Sequence, residues 1–90
     1  MRILILGGGG MVGQKLAGRL AALGRLRGRP IDDLILHDIV MPQKTPAPFA
    51  VQALRGDISD PAEAIRLAGL KADVVFLLAS IVSGEAERDF

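Results

Sequence analysis

Ninety residues can bury only about 60 to 65% of the surface that the unfolded chain exposes, enough for one core and too little for two. Half of the residues are hydrophobic, 23% are charged and the formal net charge is +1, a balance without the strong field that selects nucleic acid or an anionic membrane surface. There is no cysteine and one histidine, which removes disulfides, thiolate metal sites and a cysteine nucleophile and leaves no metal site to expect.

Taken in chain order, Ile3, Leu4, Ile5 and Leu6 are apolar without alternation, as in a strand buried on both faces at the centre of a parallel sheet. The run is too short for a signal-peptide core, and no apolar stretch approaches the ~18 residues of a membrane span, so a cytoplasmic protein is expected. Four glycines follow, Gly7 to Gly10. Beyond them Val12, Leu16, Leu20 and Leu23 recur at helical spacing with Ala17 and Ala21 beside them, which predicts a helix over 11–23 with Gly24 at its C-terminal cap.

The segment 24–33 reads as a basic loop punctuated by Gly and Pro, and Leu34 to Asp38 as a second strand. Three prolines from Pro42 to Pro48 exclude a helix and predict an extended loop over 40–50. Ala50 to Leu54 makes a third strand. Asp60 or Ser59 then caps a second helix, with Pro61 in its first turn, Glu63 placed as in a capping box, and Gly69 as its stop. Val74 to Leu78 is a fourth strand, again expected to be buried on both faces, and a further helix is expected from Gly84 or Glu85.

Strand, helix, strand, strand, helix, strand specifies an α/β fold: a Rossmann-type parallel sheet in the order third, second, first, fourth, with flanking helices and right-handed crossovers. No repeat, linker or low-complexity segment divides the chain, so residues 1–90 form one unit. Winding reverses between the first and fourth strands, and ligands of such sheets bind in that crevice, beyond the carboxyl ends of the strands. The glycine block sits there.

Gly7, Gly10 and Gly13 spell GxxGxxG, and Gly8, Gly10 and Gly13 spell GxGxxG, so two variants of the dinucleotide fingerprint overlap. The context required of such a motif is present: a strand before it, an amphipathic helix after it, and Asp38 at the end of the next strand. Gly7 and Gly8 allow the turn out of the strand, Gly10 lets the backbone approach a pyrophosphate, and Gly13 lets the helix lie close to the sheet. The helix start at Met11 and Val12 meets the phosphates with free N–H groups and partial positive charge. Gly9 has no demanded role. A merely flexible turn is the alternative.

Asp38 is placed to accept hydrogen bonds from the adenosine ribose hydroxyls and to repel a 2′-phosphate, favouring NAD over NADP, and Ile39, Val40 and Met41 after it supply no Arg to reverse the choice. A solvated loop acid is the other reading of Asp38. Asp57 and Ile58 end the third strand beside the position expected for adenine, and GDISD also serves as a turn and helix cap. His37, with no evident partner, reads as strand packing. Arg25, Arg27 and Arg29 read as a solvated loop, since a near-neutral total without interleaved aromatics argues against nucleic acid.

GGGGMVG at 7–13, LHD at 36–38, RGDISD at 55–60 and DVVFLLAS at 73–80 together resemble the start of an extended short-chain dehydrogenase/reductase, the NAD-dependent epimerase/dehydratase family, along the whole chain. FLLASIVSGEAERDF is similar to a branch that oxidises a secondary hydroxyl of a four-carbon sugar acid such as D-erythronate with NAD. The resemblance implies that Gly7, Gly10 and Gly13 hold the pyrophosphate, Asp38 the ribose, and Asp57 and Ile58 the adenine, and that Leu78, Ala79 and Ser80 line the cofactor cleft. It implies Ser83 or Glu85 on the substrate side, a small sugar acid as partner, and a homodimer of the full-length protein without nucleic acid or membrane.

Leu6 stands where many relatives carry a small hydroxyl residue, and Leu77 where they carry His. The family's Tyr-x-x-x-Lys acid/base pair lies beyond residue 90, and the chain contains no tyrosine. These residues are therefore expected to be the N-terminal part of a longer enzyme, with no catalytic residue among them. A sugar-nucleotide epimerase or dehydratase, or a non-catalytic dinucleotide-binding protein, would use the same residues.

Overall fold

In the computed structural model, which describes residues 1–78, the first apolar run forms β1 (Arg2–Leu6) and the glycine block carries the chain into α1 (Met11–Leu23). A short hairpin, β2 (Arg25–Leu26) and β3 (Arg29–Pro30), leads to β4 (Asp33–Asp38). An extended proline-rich segment then reaches β5 (Ala50–Arg55), followed by α2 (Pro61–Ala68) and β6 (Val74–Leu77). The main sheet has the order β5-β4-β1-β6 and every pairing in it is parallel, with Leu4 opposite Ile35, Leu36 opposite Ala53 and Leu6 opposite Leu77. This is the expected third, second, first, fourth order, with the winding reversal between β1 and β6.

The sheet has a different core on each face because successive side chains of a strand point to opposite sides. On one face Ile3, Ile5, Leu34 and Leu36 pack under Ala17 and Leu20 of α1, joined by Phe49, Val51 and Phe76. On the other, Leu4 and Ile35 pack against Leu67 of α2, with Leu54, Ile58 and Leu70 around them. The buried stripe of α1 is Gly13, Ala17 and Leu20. Val12 and Leu23, expected on that stripe, are exposed, because the small residues at 13 and 17 turn the close-approach face of the helix toward the sheet.

Helix ends follow the predicted chemistry with one change. Gly24 is left-handed at φ 70° and donates its N–H to the Leu20 carbonyl at 2.9 Å, closing α1. Asp60 caps α2 by accepting from the Ala62 N–H at 3.0 Å. Glu63 does not complete a capping box; its carboxylate turns to His37 and Arg66 instead.

Three other expectations are corrected. The basic segment is a hairpin, because Arg27 and Gly28 both adopt left-handed φ (52° and 79°), the conformation of a two-residue turn that matches strand twist. β6 is not buried on both faces: Val74 and Phe76 are half-buried against the α1-side core, whereas Val75 and Leu77 are 52% and 51% exposed, β6 standing at the edge of the sheet formed by the described residues. His37 has a partner, Glu63. The tail predicted to start a helix at Gly84 or Glu85 lies outside the described residues. No described helix is long and apolar enough to cross a membrane.

Candidate cofactor site

The site is built at the carboxyl end of β1, where the chain must turn sharply to start α1. Gly7 makes the turn with φ at 95°, a conformation costly for any residue with a Cβ. The Gly7 and Gly8 N–H groups both donate to the His37 carbonyl, at 2.8 and 2.9 Å, so the loop is fastened to the end of β4. Gly8 lies against Leu36, whose Cβ would stand 3.0 Å from a Gly8 Cβ.

Gly13 sets how close the helix comes. A Cβ there would overlap the Gly7 carbonyl oxygen and stand 2.7 Å from the Gly8 Cα, so α1 rests directly on the backbone of the glycine loop. Gly9, without a role from sequence, acquires one: its N–H donates to Asp38 Oδ2 at 2.9 Å, and a Cβ would stand 2.9 Å from the same oxygen. The signal for it is the surplus glycine, the third of the four, which becomes legible only with the position of Asp38.

Gly10 is different. Its φ of −80° and ψ of 174° are open to any residue, and a Cβ would meet only the Gly7 oxygen at 3.7 Å, an ordinary contact. Nothing among the described residues requires glycine at this position. Gly10 is also the N-cap of α1 and offers no side chain to the helix start. The first helical bond runs from the Gln14 N–H to the Gly10 carbonyl at 2.9 Å, which leaves the amides of Met11, Val12 and Gly13 without a partner among the described residues. Unpaired amides, a helix dipole and an open approach form an anion site, and the residues present fit a diphosphate.

Asp38 stands beside this loop, half-buried, its Oδ2 on the Gly9 N–H and its Oδ1 on the Ile39 N–H at 2.7 Å. Each carboxylate oxygen retains a second acceptor position. A cleft of about 440 Å³ opens between Gly9, Gly10 and Asp38 on one side and Val40, Met41, Pro42 and Gln43 on the other, with Gln14 at its base. Gln14, Pro42 and Gln43 were not anticipated as site residues, because their placement depends on where the proline-rich loop folds back over α1.

Asp57 and Ile58 do not line this cleft. Ile58 packs half-buried beside the α2-side core. Asp57 Oδ1 accepts from the Ser59 hydroxyl at 2.7 Å and its N–H at 2.9 Å, and these bonds hold the Asp57 carboxyl below its ordinary range. Leu78 continues the β1 ladder by donating its N–H to the Leu6 carbonyl at 2.8 Å, at the winding reversal. Ala79, Ser80, Ser83 and Glu85 lie outside the described residues.

His37 is 1% exposed and directed away from the cleft, its Nε2 at 2.5 Å from Glu63 Oε2. Arg66 clasps the same carboxylate, with Nη2 at 2.7 Å from Oε2 and Nε at 3.0 Å from Oε1. The Arg66 bonds first, and the His37 bond second, hold the Glu63 carboxyl below its ordinary range. This triad joins β4 to α2 and is structural.

The family model for the NAD dependent epimerase/dehydratase family matches residues 3–89. The chain is 42% identical over 94 aligned positions to a D-erythronate dehydrogenase of Cupriavidus necator, covering all of this chain and 29% of that protein. It is 37% identical over 89 positions to a D-erythronate dehydrogenase of Haemophilus influenzae, covering 99% of this chain and 27% of the relative. Among solved structures, the nucleoside-diphosphate-sugar epimerase from Agrobacterium tumefaciens is 49% identical and superposes with a TM-score of 0.83 over the whole of this chain and 27% of its own. The chain thus spans under a third of each of these relatives.

Proposed function

The chain belongs to the NAD dependent epimerase/dehydratase family, and on that premise we propose that it is the cofactor-gripping part of an NAD-dependent dehydrogenase acting on a secondary hydroxyl of a small sugar acid such as D-erythronate. The observation that carries the cofactor reading is Gly10: among the described residues, glycine stands where neither backbone conformation nor packing asks for it, directly in front of helix amides that have no partner there. The remaining demand is the close approach of a ligand's phosphates.

In this proposal Gly7, Gly10 and Gly13 shape the loop, and the amides of Met11 and Val12 bind the diphosphate. Asp38 accepts from the adenosine ribose hydroxyls with its free lone pairs. Its negative charge, held in place by Gly9 and Ile39, repels a 2′-phosphate and selects NAD over NADP. Asp57 and Ile58 serve the adenine end, Leu78, Ala79 and Ser80 the cleft floor, and Ser83 or Glu85 the substrate side. When bound, the dinucleotide supplies the hydride acceptor; the chain's residues hold and orient it. The parent protein is a cytoplasmic homodimer. D-erythronate is supported by two relatives of that name, each aligned over essentially this whole chain.

A sugar-nucleotide epimerase is the second reading, favoured by the solved relative's name at 49% identity. The two differ in whether reduced cofactor accumulates. The full-length protein is expected to reduce NAD with D-erythronate and to leave a nucleoside-diphosphate sugar unchanged; no reduction with D-erythronate, together with conversion of the nucleoside-diphosphate sugar to its epimer without accumulation of reduced cofactor, selects the epimerase. For the cofactor site, Gly10→Val is expected to abolish NAD binding in titration calorimetry while the protein remains folded. Equal affinity in the variant would remove the basis of the assignment.

A further inference from the structure

Gln14 is a polar residue in the first turns of α1 that the cofactor fingerprint does not explain. Long side chains on a helix lean toward its N-terminus, and from this position the Gln14 amide reaches back over the glycine loop. Its Nε2 donates to the Gly8 carbonyl at 2.7 Å and to the Gln43 carbonyl at 3.2 Å. Both partners are pure acceptors, so the orientation of the amide is determined: its oxygen could bond neither of them.

Gln43 ends the outer wall of the cleft. Val40 and Met41, 71% and 56% exposed, present apolar surface to the space beside Gly9, Gly10 and Asp38. Three prolines deprive this connection of donors and of any ladder. Among the described residues, the Gln14 bond to Gln43 is the one hydrogen bond tying the stretch from Val40 to Pro48 to another element. The same amide holds the phosphate loop through Gly8.

We infer that Gln14 is a positioning residue that clasps the Val40–Gln43 wall to the glycine loop and thereby closes the adenosine side of the dinucleotide cleft. The inference rests on the dinucleotide reading of the Gly10 site. Without the clasp the wall samples open positions, and the bound state must supply the ordering entropy that the free protein otherwise prepays. Two donors are lost, one of them to an exposed acceptor, so the expected weakening is about three- to tenfold.

The test uses the full-length protein with NAD and, as a probe of the adenosine diphosphate portion alone, ADP. Gln14→Leu, which removes both donors at similar length, is expected to raise the dissociation constants of both by about three- to tenfold. Tryptic cleavage after the exposed Lys44 is expected to quicken while amide hydrogen exchange in α1 and the sheet stays as in the wild type. Gln14→Glu, which accepts where Gln donates, should behave alike and serves if the leucine variant fails to fold; Gln14→Lys, which restores a donor, should recover part of the affinity. NAD affinity equal to wild type in both Gln14→Leu and Gln14→Glu, or an unchanged rate of cleavage after Lys44, overturns the inference and leaves the Gly10 reading standing. A wild-type protein that binds no NAD overturns both.

Discussion

Replacing Gly13 by Ala tests whether α1 rests on the glycine loop. The new Cβ would overlap the Gly7 oxygen and lie 2.7 Å from the Gly8 Cα and 3.0 Å from the Gly8 carbonyl carbon, where ordinary contact begins near 3.4 Å. All three are backbone atoms fastened to β4 through the His37 carbonyl, so relief must come from the helix, which has to withdraw by roughly 0.7 Å or more to clear the Gly8 Cα. A gap of that order forfeits about a quarter to a half of each dispersion contact, and Ala17 and Leu20 would lose it against Ile3, Ile5, Leu34 and Leu36. Overpacking of this kind costs about 1 to 3 kcal/mol, and the rigidity of the clashing atoms puts this site at the upper end. The gain in helix propensity from Gly to Ala offsets about 1 kcal/mol, leaving a net loss of about 2 kcal/mol in urea unfolding of the full-length protein. Gly18 supplies the control. It lies in the same helix, exposed, with nothing within 4 Å of its Cβ position, so Gly18→Ala should stabilise by up to about 1 kcal/mol. Equal shifts of one sign in the two variants would refute the close-approach argument.

Asp38→Ala should weaken NAD and narrow the preference over NADP, read from the two dissociation constants; an unchanged ratio would make Asp38 a loop acid. Glu63 titrates below the ordinary carboxylate value of 4.5 because Arg66, and after it His37, favour its charged form. Its contribution to stability is therefore complete above that value and lost as pH falls through the lower folded value. Glu63→Gln should flatten the wild-type loss of stability in that acid window, measured by unfolding at stepped pH. Asp60→Ala removes the acceptor for the Ala62 N–H and should cost about 1 kcal/mol, with amide exchange at the start of α2 rising first.

Much of this protein is determined along the chain itself. Strand identity at Ile3–Leu6 and Leu34–Asp38 follows from unbroken apolar runs, and the ends of α1 and α2 follow from Gly24, Asp60 and Pro61, because these are short-range preferences of backbone and side chain. The spacing of Gly7, Gly10 and Gly13 between a strand and a helix locates the site for the same reason: every interaction in that turn spans a few residues. Tertiary structure decides what depends on distant partners. Gly9 gains its purpose only when Asp38, 29 positions away, donates no space for a Cβ; His37 finds Glu63 only when α2 crosses the sheet. Gln14 becomes a clasp only when the proline-rich loop returns over α1 to bring in the Gln43 carbonyl. Local sequence carries no record of those approaches, since they arise from how the sheet order places the ends of β1 and β4 side by side.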